Sequence, residues 1–112
     1  MQRLDGKAAL VTGAASGIGL ATVELFASRG VAVALNHLPE DGRGPAAVER
    51  LRGLGCAVIS APGDVSAPAQ AENMVRGAIG TLGRLDYLVN NAGTPATVEP
   101  ITRALGPRGI GA

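Results

Sequence analysis

The chain has 112 residues, the size of one ordinary domain, with ten Lys plus Arg against nine Asp plus Glu and a net charge of +1. Near-neutral charge and two aromatic residues, Phe26 and Tyr87, exclude the basic footprint and the stacking platform that nucleic-acid binding requires. The longest aliphatic run near the N-terminus, Ala8 to Val11, falls far short of a signal-peptide core or of the roughly 20 apolar residues of a membrane span, so a soluble cytoplasmic chain is expected.

In chain order, Lys7 to Thr12 (KAALVT) reads as a first strand, followed by a glycine-rich turn and a helix over Gly17 to Arg29 that ends at Gly30. Its apolar face is expected to carry Ile18, Ala21 and Leu25. Val31 to Asn36 (VAVALN) is a second strand, and Pro39 to Pro45 (PEDGRGP) a polar surface loop. A helix over Ala46 to Leu54 offers Val48, Leu51 and Leu54 before Gly55. Cys56 to Ser60 is the third strand. From Ser66 to Leu82 the apolar positions Ala71, Met74, Val75, Ala78, Ile79 and Leu82 form the stripe of an amphipathic helix, with Gly83 as its stop. Leu85 to Asn90 (LDYLVN) is the fourth strand.

Strands alternating with helices predict an α/β class with a parallel sheet, and apolar runs without strict alternation suit strands covered on both faces. Right-handed crossovers place strands two and three to one side of strand one and strand four on the other, giving the order 3-2-1-4. The reversal between strands one and four opens a crevice at their carboxyl ends, where ligands bind in sheets of this kind.

The one cysteine, Cys56, allows neither an internal disulfide nor a multi-cysteine zinc site; it reads as a small buried thiol on a strand and fits a reducing compartment. No metal site is expected. The one lysine is Lys7, in Gly6-Lys7-Ala8, so a G-x-x-x-x-G-K-[ST] phosphate loop is absent and phosphoryl transfer by that route is excluded.

Thr12-Gly13-Ala14-Ala15-Ser16-Gly17-Ile18-Gly19 lies where the first strand becomes the first helix. A diphosphate there needs a tight turn, closely approachable backbone, and a helix N-terminus whose free N–H groups face the anion. Glycine supplies the first two because it has no side chain to clash. Glycines four and then two apart differ from the G-x-G-x-x-G dinucleotide fingerprint, and a glycine triplet also joins strands to helices for purely structural reasons.

With that spacing the sequence resembles the short-chain dehydrogenase/reductase family, whose first turn reads T-G-x-x-x-G-x-G. Two further motifs fall in order at the ends of predicted strands: Asp64-Val65 after the third, and Asn90-Asn91-Ala92-Gly93 at the fourth. The resemblance, from about Gly6 to Gly93, implies a Rossmann-like fold and an NAD(P)-dependent oxidoreductase that transfers hydride at a carbonyl or alcohol. It implies that Gly13, Ser16, Gly17, Ile18 and Gly19 cradle the diphosphate, Asn36 and His37 the adenosine ribose, Asp64 and Val65 the adenine, and Asn91 the inner ribose. Each has a plainer reading: Asp64 as a turn residue, Asn90 and Asn91 as ties between strands, His37 as a solvated loop histidine. A sugar-nucleotide epimerase is disfavoured, because those tend to carry T-G-x-x-G-x-x-G.

An acid at the end of strand two binds the ribose 2′-OH of NAD and repels the 2′-phosphate of NADP. Asn36-His37-Leu38 stands there with no acid, which favours NADP weakly and leaves NAD open; Asn36 can donate to either group, and a charged His37 beside a phosphate would help.

The family's catalytic tyrosine is followed four residues later by a lysine that lowers its pKa, and a serine orients the substrate oxygen. Here Tyr87 is followed at that distance by Asn91, Lys7 lies upstream of the glycine turn, and serines stop at Ser66, so no catalytic residue is assigned and Tyr87 is expected in the core. Residues 94–101 look like the family's loop leading to a helix, and 102–112 form an irregular Gly/Pro-rich tail, leaving 1–101 as a partial dinucleotide-binding domain. The expectation is a cofactor-binding half, inactive alone, whose natural truncation, shifted frame or partial sequence stay open; a non-catalytic dinucleotide-binding module or an inert gene remnant is the alternative. With the sheet truncated after strand four, Leu85, Leu88 and Val89 would form an exposed edge prone to self-association. The substrate and the oligomeric state are not readable.

Overall fold

The computed structural model describes residues 3–92 and the backbone of 97–100. Strands β1 (Ala8–Val11), β2 (Ala32–His37), β3 (Val58–Pro62), β4 (Tyr87–Asn90) and β5 (Thr97–Pro100) alternate with helices α1 (Gly17–Ser28), α2 (Arg43–Gly53) and α3 (Pro68–Leu82). The sheet order is β3-β2-β1-β4-β5, and β1 to β4 are parallel. The predicted order 3-2-1-4 is thus present, and β5 extends it as an antiparallel neighbour of β4, Val89 opposite Val98. This corrects two expectations. The sheet does not stop at β4, and β4 is not an edge, so the reason for expecting self-association there is removed. Part of the segment read as a loop is a strand, while 93–96 and the tail 102–112 lie outside the described residues.

Strand alternation sorts the core into two layers. Ala9, Val11, Val33, Leu35 and Val58 pack with Val23, Ala27, Ala47, Val48 and Leu51 of α1 and α2. Ala8, Leu10, Ala34 and Ala61 face Met74, Val75 and Ala78 of α3. All four residues of β1 are buried, and full burial of a side chain such as Leu10 contributes about 1.5–3 kcal/mol. Covering both faces explains why these strands read as continuous apolar runs.

The helix faces test the periodicity more severely. On α3 Met74, Val75 and Ala78 of the expected stripe are buried, with Ile79 and Leu82 partly buried beside them, and Gly83 closes the helix in the left-handed conformation (φ +83°), donating its N–H to the Ile79 carbonyl at 2.8 Å. On α1 the expectation fails: Ile18, Ala21 and Leu25 are exposed, and the sheet receives Gly19, Val23 and Ala27. Apolar residues surround this helix, so period alone does not choose a face. Small Gly19 and Ala27 allow the close approach. Helix α2 starts at Arg43, inside the expected loop, and Leu54 at its end is exposed. Cys56 precedes β3 and is half-buried. Among the described residues no helix is long and apolar enough to cross a membrane.

Tyr87 is partly buried, its ring stacked on Phe26 with centroids 6.2 Å apart, against the α1–α2 core layer. It packs, as expected from its place within the strand.

Candidate functional site

The glycine turn stands at the carboxyl end of β1, beside the ends of β2 and β4. Its backbone is fixed from both sides. Asn36 Oδ1 accepts the Gly13 N–H at 2.9 Å, and the Ala14 N–H donates to the Asn36 carbonyl at 2.8 Å. From β4, the Asn91 Nδ2–H donates to the Gly13 carbonyl at 3.0 Å, while Thr12 Oγ1 accepts the N–H groups of Asn91 and Ala92 at 2.9 and 3.1 Å. The turn is therefore a hydrogen-bonded junction of three strand ends.

The three glycines act differently. Gly19 is sterically required: a Cβ there would stand 2.5 Å from the Gly13 carbonyl oxygen and 2.8 Å from Asn91 Nδ2. Gly13 has φ +57° and lies hard against Ala92, with 3.1 Å from a Cβ to the Ala92 Cα. Gly17 has φ +61°, yet a Cβ there would meet nothing within 4 Å, so it presents bare backbone to open space. Just there α1 begins. Its N-cap Ser16 is extended and exposed, makes no side-chain cap, and no acid occupies the first turn. The orphan N–H groups and the positive dipole end of a twelve-residue helix are thus left for an anion. Ile18, 71% exposed, projects from the same turn. These residues fit a dinucleotide diphosphate.

Around the rim the expected contacts divide. Asp64 is half-exposed after β3; its Oδ1 accepts the Ser66 hydroxyl at 2.6 Å and the Ser66 N–H at 3.0 Å, and those bonds hold its carboxyl below the usual range. The plainer turn role is therefore real, with Oδ2 outside those bonds. Val65 beside it is partly buried against the α3 layer.

Asn36 and His37 require correction, because neither side chain reaches out to a ribose. Asn36 is 2% exposed, and besides holding Gly13 its Nδ2 donates to the carbonyls of Ala61 and Gly63 at 2.9 and 3.1 Å, next to the Met74 sulfur. A short polar side chain at the end of a central strand is pulled inward by backbone groups that need partners. His37 is 4% exposed and turned beneath α2, with Nδ1 at 2.7 Å from the Leu38 carbonyl and Nε2 hydrogen-bonded to Ser60 Oγ. It is no solvated loop histidine.

Two residues with structural roles at the site were missed from sequence. Thr12 appears in the T-G motif, but its acceptor role becomes visible only with β4 alongside. Ser60 sits in a strand and carries no local signal at all. Among the described residues no three His, Cys, Asp or Glu cluster as a metal site.

A mainly parallel sheet with a glycine turn and an uncapped helix N-terminus at its switch point is the arrangement of the nucleotide-binding α/β folds. A family model described as short chain dehydrogenase matches residues 7–105, and the chain belongs to that family. It is 41% identical over 93 residues to L-rhamnose 1-dehydrogenase (NAD(P)(+)) of Sphingomonas sp., covering 83% of this chain and 37% of that protein. It is 40% identical over 92 residues to tropinone reductase-like 2 of Erythroxylum coca, covering 82% and 32%. Among solved structures, a short chain dehydrogenase from Burkholderia cenocepacia in complex with NADP aligns with a TM-score of 0.77 at 39% identity, over 83% of this chain and 38% of that one. A short chain dehydrogenase/reductase from Burkholderia phymatum in complex with NAD aligns with a TM-score of 0.72 at 38% identity, over 79% and 31%. The chain spans well under half the length of these relatives.

Proposed function

We propose that this chain is the dinucleotide-binding part of an NAD(P)-dependent oxidoreductase that transfers hydride at a small carbonyl or alcohol. The observation that carries the reading is the bare backbone of Gly17 at the uncapped N-terminus of α1. Gly13, Ser16, Gly17, Ile18 and Gly19 take the diphosphate. Asp64, through its outer oxygen, and Val65 take the adenine, and Asn91, already bonded to the turn, borders the inner ribose. The nicotinamide supplies the hydride chemistry when bound; these residues bind and orient it.

Because β2 ends in Asn36-His37 with no carboxylate to repel a 2′-phosphate, NADP is the preferred cofactor. The setting is the cytoplasm, in keeping with the lone, half-buried thiol of Cys56. A second reading, a dinucleotide-binding module without catalysis, is favoured by Tyr87: its ring is stacked on Phe26, and Asn91 stands where a lysine would be needed.

The test is to titrate the 112-residue chain with NADPH and NADH, following cofactor fluorescence, and then to offer a panel of carbonyl compounds. Binding without turnover is expected. Turnover would overturn the claim that these residues lack an acid/base pair. A folded chain that binds neither cofactor would overturn the cofactor reading.

A further inference from the structure

The residue at the position where a ribose-binding acid would stand is an enclosed imidazole, that of the chain's one histidine. His37 is 4% exposed at the end of β2. The Leu38 carbonyl can only accept, so Nδ1 carries a proton and donates to it at 2.7 Å, while Nε2 is hydrogen-bonded to the Ser60 hydroxyl. Ser60 lies on β3, two residues before the Pro62 that His37 faces in the strand register. Above the ring sits Gly44, in the first turn of α2. A Cβ on Gly44 would run into the imidazole atoms Cγ and Cδ2. Gly44 has no positive φ that would call for glycine. Its one evident use is to let α2 rest on the ring.

The same Leu38 carbonyl also accepts the Asp41 N–H at 3.0 Å, closing the turn that leads into α2. Asp41 continues the chain of contacts. Its carbonyl accepts the Gly44 N–H at 3.1 Å, and its carboxylate accepts the Arg43 N–H and pairs with the Arg43 guanidinium at 2.8 Å. Ser60, His37, Leu38, Asp41 and Gly44 thus form one continuous connection from β3 through the β2–α2 loop to the start of α2.

We propose that His37 is a positioning residue: it sets the shape of the Leu38–Gly42 loop that borders the adenosine ribose and does not itself read the 2′ position. This rests on the cofactor reading above. The loop is shared by both cofactors, so losing the imidazole weakens both alike, whereas a residue that touched the 2′ group would change their ratio.

The probes are ADP and adenosine 2′,5′-bisphosphate, titrated calorimetrically into the 112-residue chain, together with amide exchange read at Asp41 and Gly44. His37→Ala weakens both probes by a similar factor, about fivefold for one lost hydrogen bond, and speeds exchange at both amides. His37→Asn, whose amide donates from nearly the Nδ1 position, restores binding and protection. Ser60→Ala, removing one hydroxyl, gives the same pattern more weakly and serves if His37→Ala does not fold. A change in the ratio of the two affinities of about tenfold (about 1.4 kcal/mol), or unchanged affinities and exchange, would overturn the proposal. Failure of the cofactor reading looks different: the folded wild-type chain would bind neither probe.

Discussion

Asn36 Oδ1 lies 2.9 Å from the Gly13 nitrogen, so the amide of a β2 residue holds the first glycine of the phosphate turn. The same side chain binds the carbonyls of Ala61 and Gly63, and one buried amide therefore sets the relative heights of three strand ends. Replacing it leaves a backbone donor and two acceptors short of partners. Asn36→Ala is expected to lower stability by about 2–4 kcal/mol, since each buried group left unsatisfied costs about 1–3 kcal/mol and some of that cost is relieved by water. Urea denaturation followed by circular dichroism measures it. A loss under about 0.5 kcal/mol, the scale of an ordinary surface change, would show the bonds to be dispensable.

The glycines separate steric need from open space. Gly19→Ala forces its methyl against the Gly13 carbonyl and the Asn91 amide, so the turn must open. A stability loss of about 1–3 kcal/mol is expected, with weaker cofactor binding. Gly77→Ala, in α3 where a Cβ meets nothing within 4 Å, is expected to stabilise by up to about 1 kcal/mol through helix propensity. Thermal melts of the two variants in parallel test the contrast, and equal shifts would contradict it.

Acid titration should single out Asp41. The Arg43 guanidinium, followed by the Arg43 N–H, lowers its carboxyl to about 2. A carboxyl whose folded value lies below its unfolded one of about 3.9 contributes stability above that pH and loses it as pH falls through about 2. Carboxyl-carbon NMR is expected to place the Asp41 midpoint near 2 and to show it rise toward about 3.9 in Arg43→Ala. An unmoved midpoint would mean the pair is not formed in solution.

Tyr87 tests packing against chemistry. Tyr87→Phe keeps the ring stacked on Phe26 and is expected to leave cofactor affinity unchanged and stability within about 0.5 kcal/mol. Tyr87→Ala removes the stack and is expected to cost about 2–4 kcal/mol. If Tyr87→Phe abolished an activity of the chain, the packing role would be insufficient.

How much of this was legible depended on how local the signal was. The α3 stripe and its Gly83 stop could be read because polar and apolar residues alternate cleanly around that helix. On α1 they do not, and the sheet took the row Gly19, Val23 and Ala27, which the helical period alone does not single out from the other apolar rows. The T-G-x-x-x-G-x-G turn, Asp64-Val65 and Asn90-Asn91 were visible because backbone-approach glycines and strand-end polar residues leave marks in consecutive positions.

The sequence by itself determined the alternation of strands and helices, the order of β1 to β4, the place of the phosphate turn and the lack of a Y-x-x-x-K pair. Only the tertiary structure decided where the polar side chains at the ends of β2 and β3 point. Asn36 and His37 looked free to meet a ribose while their neighbours were unknown. Once β1, β3 and α2 close around them, unpaired backbone groups and the Ser60 hydroxyl compete for the same atoms, and burial makes those partners obligatory. Hydrogen bonds across 23 or more residues of chain carry no local signature, so the direction of a side chain at a strand end is a property of the assembled sheet.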